Sequence, residues 1–323
     1  MKAVISGVGI HLPEFPTLNS DLEKFVDTND EWIRTRTGIE QRYIFDREDQ
    51  ELKTSDIAIS AAKKLLDQTG VSPSEIDGII MGSMYPDKVF PATACVVQAA
   101  LDCDNAFAFD ITAACALYPY AVNIASLMIE SGQAKNIIVI GAELSSRVVD
   151  WSDRNTCVLF GDAGSATLLS SSDEQTEDGL VRGVLTSTLR SRGKAQDILN
   201  LNNLGSGDSF IEMDGRQVFK IAVVEMASIV EESLAKLGFK PSDLDLLLPH
   251  QANIRILDAT AKKLGLSEDQ VFTNVHKYGN TSSASIPLAI SEALQEGRLK
   301  KGDLVATVGI GGGMTWGCNI IRW

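Results

Sequence analysis

Apolar residues fall along the chain in two kinds of block. Short runs at 76–81, 137–140 and 244–248 are almost continuously apolar and are bounded by polar or turn-forming residues, the pattern of strands buried on both faces. Elsewhere the spacing is helical: from Cys115 onward, Ala116, Leu117, Tyr120, Ala121, Ile124, Ala125, Leu127 and Met128 mark a largely buried helix. Met1-Lys-Ala-Val-Ile-Ser-Gly-Val-Gly reads as a first strand, too short an apolar run for a signal peptide or a membrane span. Buried strands of this kind predict a layered α/β protein whose sheets are covered by helices.

These blocks repeat. Leu66-Asp-Gln-Thr-Gly70-Val-Ser-Pro73-Ser-Glu-Ile-Asp77 and the strand after it match Leu234-Ala-Lys-Leu-Gly238-Phe-Lys-Pro241-Ser-Asp-Leu-Asp245 at a constant offset of 168. Helix, Gly cap, Pro-Ser-acid turn and buried strand recur in the same order. A weaker match at an offset of 165 pairs the helix ending Glu130-Ser-Gly132 with the helix ending Gln295-Glu-Gly297, each followed by a strand. The expectation is a duplicated α/β unit with halves at 1–171 and 172–323, related by a pseudo-twofold axis. At the offset of 165, Cys115 falls opposite Asn280, which predicts that the two lie close together.

Composition narrows the class. The 323 residues are 44% hydrophobic, enough for a sizeable core. A net charge of −14 argues against general nucleic-acid binding, so a polyanionic partner has to meet a local basic patch. Cys95, Cys103, Cys115, Cys157 and Cys318 form no C-x-x-C pair, and only His11, His250 and His276 are present to complete a metal site. The expectation is a cytoplasmic protein with no metal, cofactor or membrane contact.

Two readings of Cys115 stay open on position alone. A helix N-terminus presents free N–H groups and partial positive charge that favour a thiolate, yet free cysteine is also a common core residue. The other four cysteines read as structural. His250 follows the run ending in Pro249, and ligand sites in α/β sheets gather at the carboxyl ends of strands; a lone histidine is otherwise structural, as His11 and His276 are expected to be. Asn280, in Tyr278-Gly-Asn-Thr-Ser-Ser-Ala-Ser285, reads in isolation as an N-cap or turn residue. The terminal Val308-Gly-Ile-Gly-Gly-Gly-Met-Thr-Trp-Gly317 has no following helix, so it is a poor phosphate loop, but its backbone N–H groups suit an oxyanion hole.

Taken together, Ala113-Ala-Cys115, His250-Gln-Ala-Asn253, Tyr278-Gly-Asn-Thr-Ser282 and the terminal Gly-Gly-Gly-x-Thr-Trp-Gly resemble the β-ketoacyl-acyl-carrier-protein synthase III family of condensing enzymes. Asp27-Thr-Asn-Asp-Glu-Trp32-Ile-Arg-Thr-Arg36-Thr-Gly-Ile-Glu-Gln-Arg42 matches that family's N-terminal signature, and the resemblance runs from Gly7 to Trp323. It implies the thiolase fold, a duplicated five-layer α-β-α-β-α architecture. It implies that Cys115 is the acylated nucleophile with His250 and Asn280 as partners, and that N–H groups of Cys115 and Gly312 form the oxyanion hole. Coenzyme A contacts fall on Thr28, Trp32, Arg36, Arg154 and Arg255. Lys220, Arg255, Lys262 and Lys263 match a basic surface that receives the acidic carrier protein, although any one lysine is otherwise a solvated helix face. Phe90 matches a phenylalanine that closes the partner subunit's acyl pocket in a homodimer, against the plainer reading of a core aromatic.

The implied reaction is acyl transfer from a short acyl-CoA, acetyl-CoA foremost, to Cys115, followed by decarboxylative condensation with malonyl-acyl carrier protein, without metal, initiating fatty-acid synthesis. The chain departs from the family at Ala116-Leu117-Tyr118-Pro119, at Phe160-Gly-Asp-Ala-Gly-Ser-Ala and across 187–208, which bears on the primer, with Leu117 and Tyr118 assigned to the acyl pocket. The alternatives are a paralogue using another primer, a Cys/His hydrolase or acyltransferase, and a non-catalytic acyl-CoA-binding protein with Cys115 in its core.

Overall fold

A computed structural model describes residues 1–176, 179–201 and 209–323. Its strands are β1 (Lys2–His11), β2 (Pro16–Leu18), β3 (Gln41–Tyr43), β4 (Gly78–Gly82), β5 (Phe107–Asp110), β6 (Asn136–Glu143), β7 (Ala163–Ser172), β8 (Gly183–Ser191), β9 (Leu199–Leu201), β10 (Ile211–Met213), β11 (Leu246–Pro249), β12 (Leu304–Gly311) and β13 (Thr315–Arg322). Its helices are α1 (Asn19–Leu22), α2 (Asp30–Thr37), α3 (Thr54–Thr69), α4 (Thr93–Ala100), α5 (Leu117–Glu130), α6 (Gly215–Ala235), α7 (Ile254–Leu264), α8 (Val275–Tyr278) and α9 (Ser285–Gln295).

Two large sheets carry the fold, in the orders β1-β7-β6-β4-β5 and β8-β13-β12-β11. In each, parallel pairing at one side gives way to two antiparallel strands at the other. The fifth strand of the second sheet is reduced to one parallel bridge, Leu247 to Val271. All five residues of β4 and all eight of β12 are buried, as apolar runs covered on both faces require.

The sheets are separated and flanked by helices. On α3, the buried residues Ile57, Ala58, Ala61, Ala62, Leu65 and Leu66 form a stripe that packs, with α4, on the outer face of the first sheet. α5 and α9 lie between the sheets, where Val122, Ala125, Ile286 and Ile290 share a core with Val139 of β6 and Val305 of β12. α6 and α7 cover the outer face of the second sheet. This α-β-α-β-α stack is the five-layer thiolase architecture that the family resemblance implies.

The repeat register needs one correction. Short 3-10 turns at Ala114–Ala116 and Ser282–Ala284 precede α5 and α9, and Ala114 and Ser282 share a left-handed backbone, with φ of 45° and 49°. The offset there is 168, so the counterpart of Cys115 is Ser283, and Asn280 lies three residues earlier in the chain. α9 has 11 residues where α5 has 14, which moves the helix ends to the offset of 165; a longer loop restores 168 at β6 and β12. The predicted proximity holds for a different reason: both segments enter the same cavity, and Cys115 Sγ is 3.3 Å from Ser282 Oγ.

Candidate active site

Three buried side chains converge where the layers meet. Cys115 (5% exposed) sits in the turn before α5, His250 (2%) directly after β11, and Asn280 (7%) before the turn that leads into α9. Pro249 closes β11 opposite Val308, and His250 N–H still donates to Val308 O at 2.8 Å, so the ring leaves the sheet at a fixed point. The end of β12 presses on the same place. A Cβ on Gly311 would lie 2.5 Å from Cys115 N, a separation that only glycine allows.

Hydrogen bonds fix the direction of two polar groups. Ser282 N–H donates to Asn280 Oδ1 at 2.9 Å, which commits the amide oxygen and leaves Nδ2–H to face a ligand. His250 Nδ1 is 2.6 Å from Ser285 Oγ, which leaves Nε2 for the cavity. Behind the thiol, the fully buried Glu143 accepts from Ser283 Oγ at 2.6 Å and from Met84 N–H at 2.9 Å, holding the turn that carries Ser282. The left-handed backbone of Ala114 and Ser282 is uncommon for residues other than glycine, and such strain gathers at functional sites.

Electrostatics differ from the sequence expectation at the nucleophile. Cys115 precedes α5 with its sulfur buried, and that burial pushes its thiol up to about 12, against the opposing hydrogen bond from Ser282. Desolvation outweighs the helix end, so the resting group is a thiol rather than a thiolate. Burial lowers the His250 pKa to about 4, so its imidazole is neutral at pH 7.

This has a measurable consequence. The folded pKa of His250 lies below its ordinary value of 6.5, so the unfolded chain takes up a proton first as pH falls. Its contribution to stability is complete above pH 6.5 and is lost as pH falls toward 4. Urea unfolding at pH 7 and pH 5 is expected to show a smaller loss on acidification for His250→Asn than for the parent; an equal loss would refute the assignment.

A cavity of about 830 Å³ connects these groups to the surface. Trp32, Arg36, Arg154 and Arg255 line it, joined by Arg216, which sequence reasoning missed because its neighbours mark only a helix start. The Trp32 ring lies 4.5 Å from the Arg154 guanidinium and 5.0 Å from that of Arg36. Thr28 is not among the lining residues; its hydroxyl is enclosed beside α2 without a partner among the described residues.

Other expected residues fall elsewhere. Leu117 and Tyr118 do not line the cavity: Leu117 abuts Gly82, and Tyr118 is packed in the core with Val8 and Ile80. The start of α5 turns both side chains inward, away from the thiol beside them. Gly312 lies against Leu199 O, where a Cβ would be 2.7 Å away, and Leu199 itself lines the cavity. Of the divergent stretch 187–208, residues 202–208 lie outside the described residues. Phe90 is 83% exposed, which excludes the core-aromatic reading, and Cys95 is exposed where a buried structural cysteine was expected. Lys220 on α6 and Arg255, Lys262 and Lys263 on α7 are exposed on two helices that pack together. Among the described residues, no group of three or more His, Cys, Asp or Glu could hold a metal ion, and no helix is long and apolar enough to cross a membrane.

Family models match on both sides of this geometry. The model described as 3-oxoacyl-[acyl-carrier-protein (ACP)] synthase III matches residues 109–193, and its C-terminal counterpart matches 234–323. Beta-ketoacyl-[acyl-carrier-protein] synthase III of Aquifex aeolicus (strain VF5) is 45% identical over 323 residues, covering 100% of both chains. The crystal structure of 3-oxoacyl-[acyl-carrier-protein] synthase III from Aquifex aeolicus VF5 superposes with a TM-score of 0.93, covering 99% of this chain and 100% of that one. The priming beta-ketosynthase from the R1128 polyketide biosynthetic pathway is more distant, 30% identical with a TM-score of 0.90 over 99% of this chain and 95% of that one.

Proposed function

Because the chain belongs to the 3-oxoacyl-[acyl-carrier-protein] synthase III family, we propose that Cys115, His250 and Asn280 catalyse condensation of a short acyl-CoA, acetyl-CoA foremost, with malonyl-acyl carrier protein. The observation that carries this reading is their convergence in one cavity that arginines and Trp32 also line. The identity of 45% to a family synthase, against 30% to the polyketide priming enzyme, favours the fatty-acid role over a specialised one.

In the first half-reaction the Cys115 sulfur attacks the thioester carbon. N–H groups of Cys115 and Gly312 bind the oxyanion, the carbon–sulfur bond to coenzyme A breaks, and the thiol proton ends on the departing sulfur. Arg36, Arg154 and Arg255 are assigned to coenzyme A, with Trp32 against its adenine and the arginines on its phosphates; Thr28, off the cavity with its hydroxyl enclosed, is not. In the second half-reaction His250 Nε2–H and Asn280 Nδ2–H donate to the malonyl thioester carbonyl while carbon dioxide departs, holding the enolate. Its carbon attacks acyl-Cys115, the tetrahedral adduct collapses to the 3-oxoacyl product, and the released sulfur regains a proton. No C–H proton is removed, so a neutral histidine donor suffices.

The basic face of α6 and α7, with Lys220, Arg255, Lys262 and Lys263, is assigned to the acidic carrier. For assembly, β5 lies at the edge of its sheet and Val89 and Phe90 stand in solvent, features that a homodimer would cover while Phe90 closes the partner's acyl pocket. The primer wall of the chain's own cavity is assigned to Leu199 and Ile310 rather than to Leu117 and Tyr118.

Incubation with a panel of acyl-CoAs, read by intact mass and by product formation with malonyl-carrier protein, tests the reading. An acetyl adduct on the Cys115 peptide and a 3-oxoacyl product are expected; thioester hydrolysis without malonyl substrate would overturn it in favour of a hydrolase. Trp32→Ala is expected to raise KM for acetyl-CoA by about tenfold, while condensation on pre-acetylated enzyme holds its rate. An unchanged KM would remove Trp32 from the site.

A further inference from the structure

Ser285 opens α9, and its Oγ lies 2.6 Å from His250 Nδ1 while also accepting from Gln251 N–H at 3.4 Å. The residue is buried, and among the described residues its hydroxyl hydrogen has no acceptor other than Nδ1. A hydroxyl oxygen accepts freely, but its single hydrogen needs a lone pair. A proton on Nδ1 would leave that hydrogen buried and unpaired, a costly arrangement.

Resting on the condensing reaction above, we propose that Ser285 is the positioning residue that holds His250 in its Nε2–H tautomer, by donating to Nδ1. Only that tautomer of the neutral ring can donate to the malonyl thioester carbonyl; the other presents a lone pair to the developing enolate oxygen. Asn280 is oriented by the same device, its acceptor end tied to Ser282 N–H and its donor end left free. Both donors to the enolate are therefore set from behind by the turn that enters α9.

The test uses full-length protein labelled with 15N-histidine, the His250 signals being identified by their loss in His250→Asn. The parent is expected to show a pyridine-type Nδ1 and a pyrrole-type Nε2. In Ser285→Ala these are expected to shift toward the Nδ1–H tautomer, with condensation on pre-acetylated enzyme slowed by about tenfold or more. Acetyl uptake by Cys115 reports that the variant is folded, and Ser285→Thr is expected to restore both tautomer and rate. A protonated Nδ1 in the parent overturns the proposal, and so does a Ser285→Ala enzyme that condenses at the parent rate. The parent spectrum decides by itself should Ser285→Ala fail to fold. If instead the parent does not condense at all, the reaction assignment fails while the tautomer is still read.

Discussion

Cys115→Ala is expected to gain no acetyl mass from acetyl-CoA and to condense at least about 10³-fold more slowly than the parent. Among the described residues that line the cavity there is no second thiol, and Ser282, 3.3 Å from the sulfur, offers only an alcohol, a poorer nucleophile. Decarboxylation of malonyl-carrier protein is expected to survive, because it draws on the donors of His250 and Asn280 and not on sulfur. The fold should tolerate the change, since removing one buried sulfur costs only about 1 kcal/mol. Intact-mass spectrometry and carbon dioxide release separate the two half-reactions. Acetylation of the variant at the parent level would end the assignment of Cys115, and parent-like condensation would end the covalent mechanism.

Asn280→Asp is expected to divide the reaction the other way. The new side chain has the same shape and keeps its bond from Ser282 N–H, so acetylation of Cys115 should proceed. The free Nδ2–H is replaced by an oxygen that is negative or, at best, protonated. Losing one donor to an oxyanion slows such a step by about 10²–10³-fold, and an anion facing a developing anion exceeds that. A site 7% exposed resists ionisation, so the introduced carboxyl should regain its proton readily and lift the residual rate as pH falls. Condensation by Asn280→Asp within tenfold of the parent at pH 7.5 would show that Asn280 does not hold the enolate.

The sequence made the architecture legible because buried strands and capped helices repeat, and repetition survives divergence. Cys115 and His250 were legible for a related reason: each follows an element whose end is marked, by the strand before Ala113 and by Pro249. The roles of Ser282 and Ser285 were not. They stand in a run of small polar residues, and which hydroxyl faces the thiol, the ring or the helix depends on one left-handed residue that no composition announces. The match of Cys115 to Asn280 placed the right segments together in the wrong register, because α9 lost three residues and its loop regained them. Leu117 and Tyr118 show the converse error: adjacency to the nucleophile along the chain is not adjacency in space when a helix begins between them.

The burial of Cys115 also bears on how the protein meets oxidants. Peroxide and alkylating reagents react with thiolate, in proportion to its fraction and its access to solvent. A sulfur that is 5% exposed, and whose pKa burial pushes up to about 12, offers little of either. The same burial that keeps the resting nucleophile protonated thus slows sulfenic acid formation between turnovers.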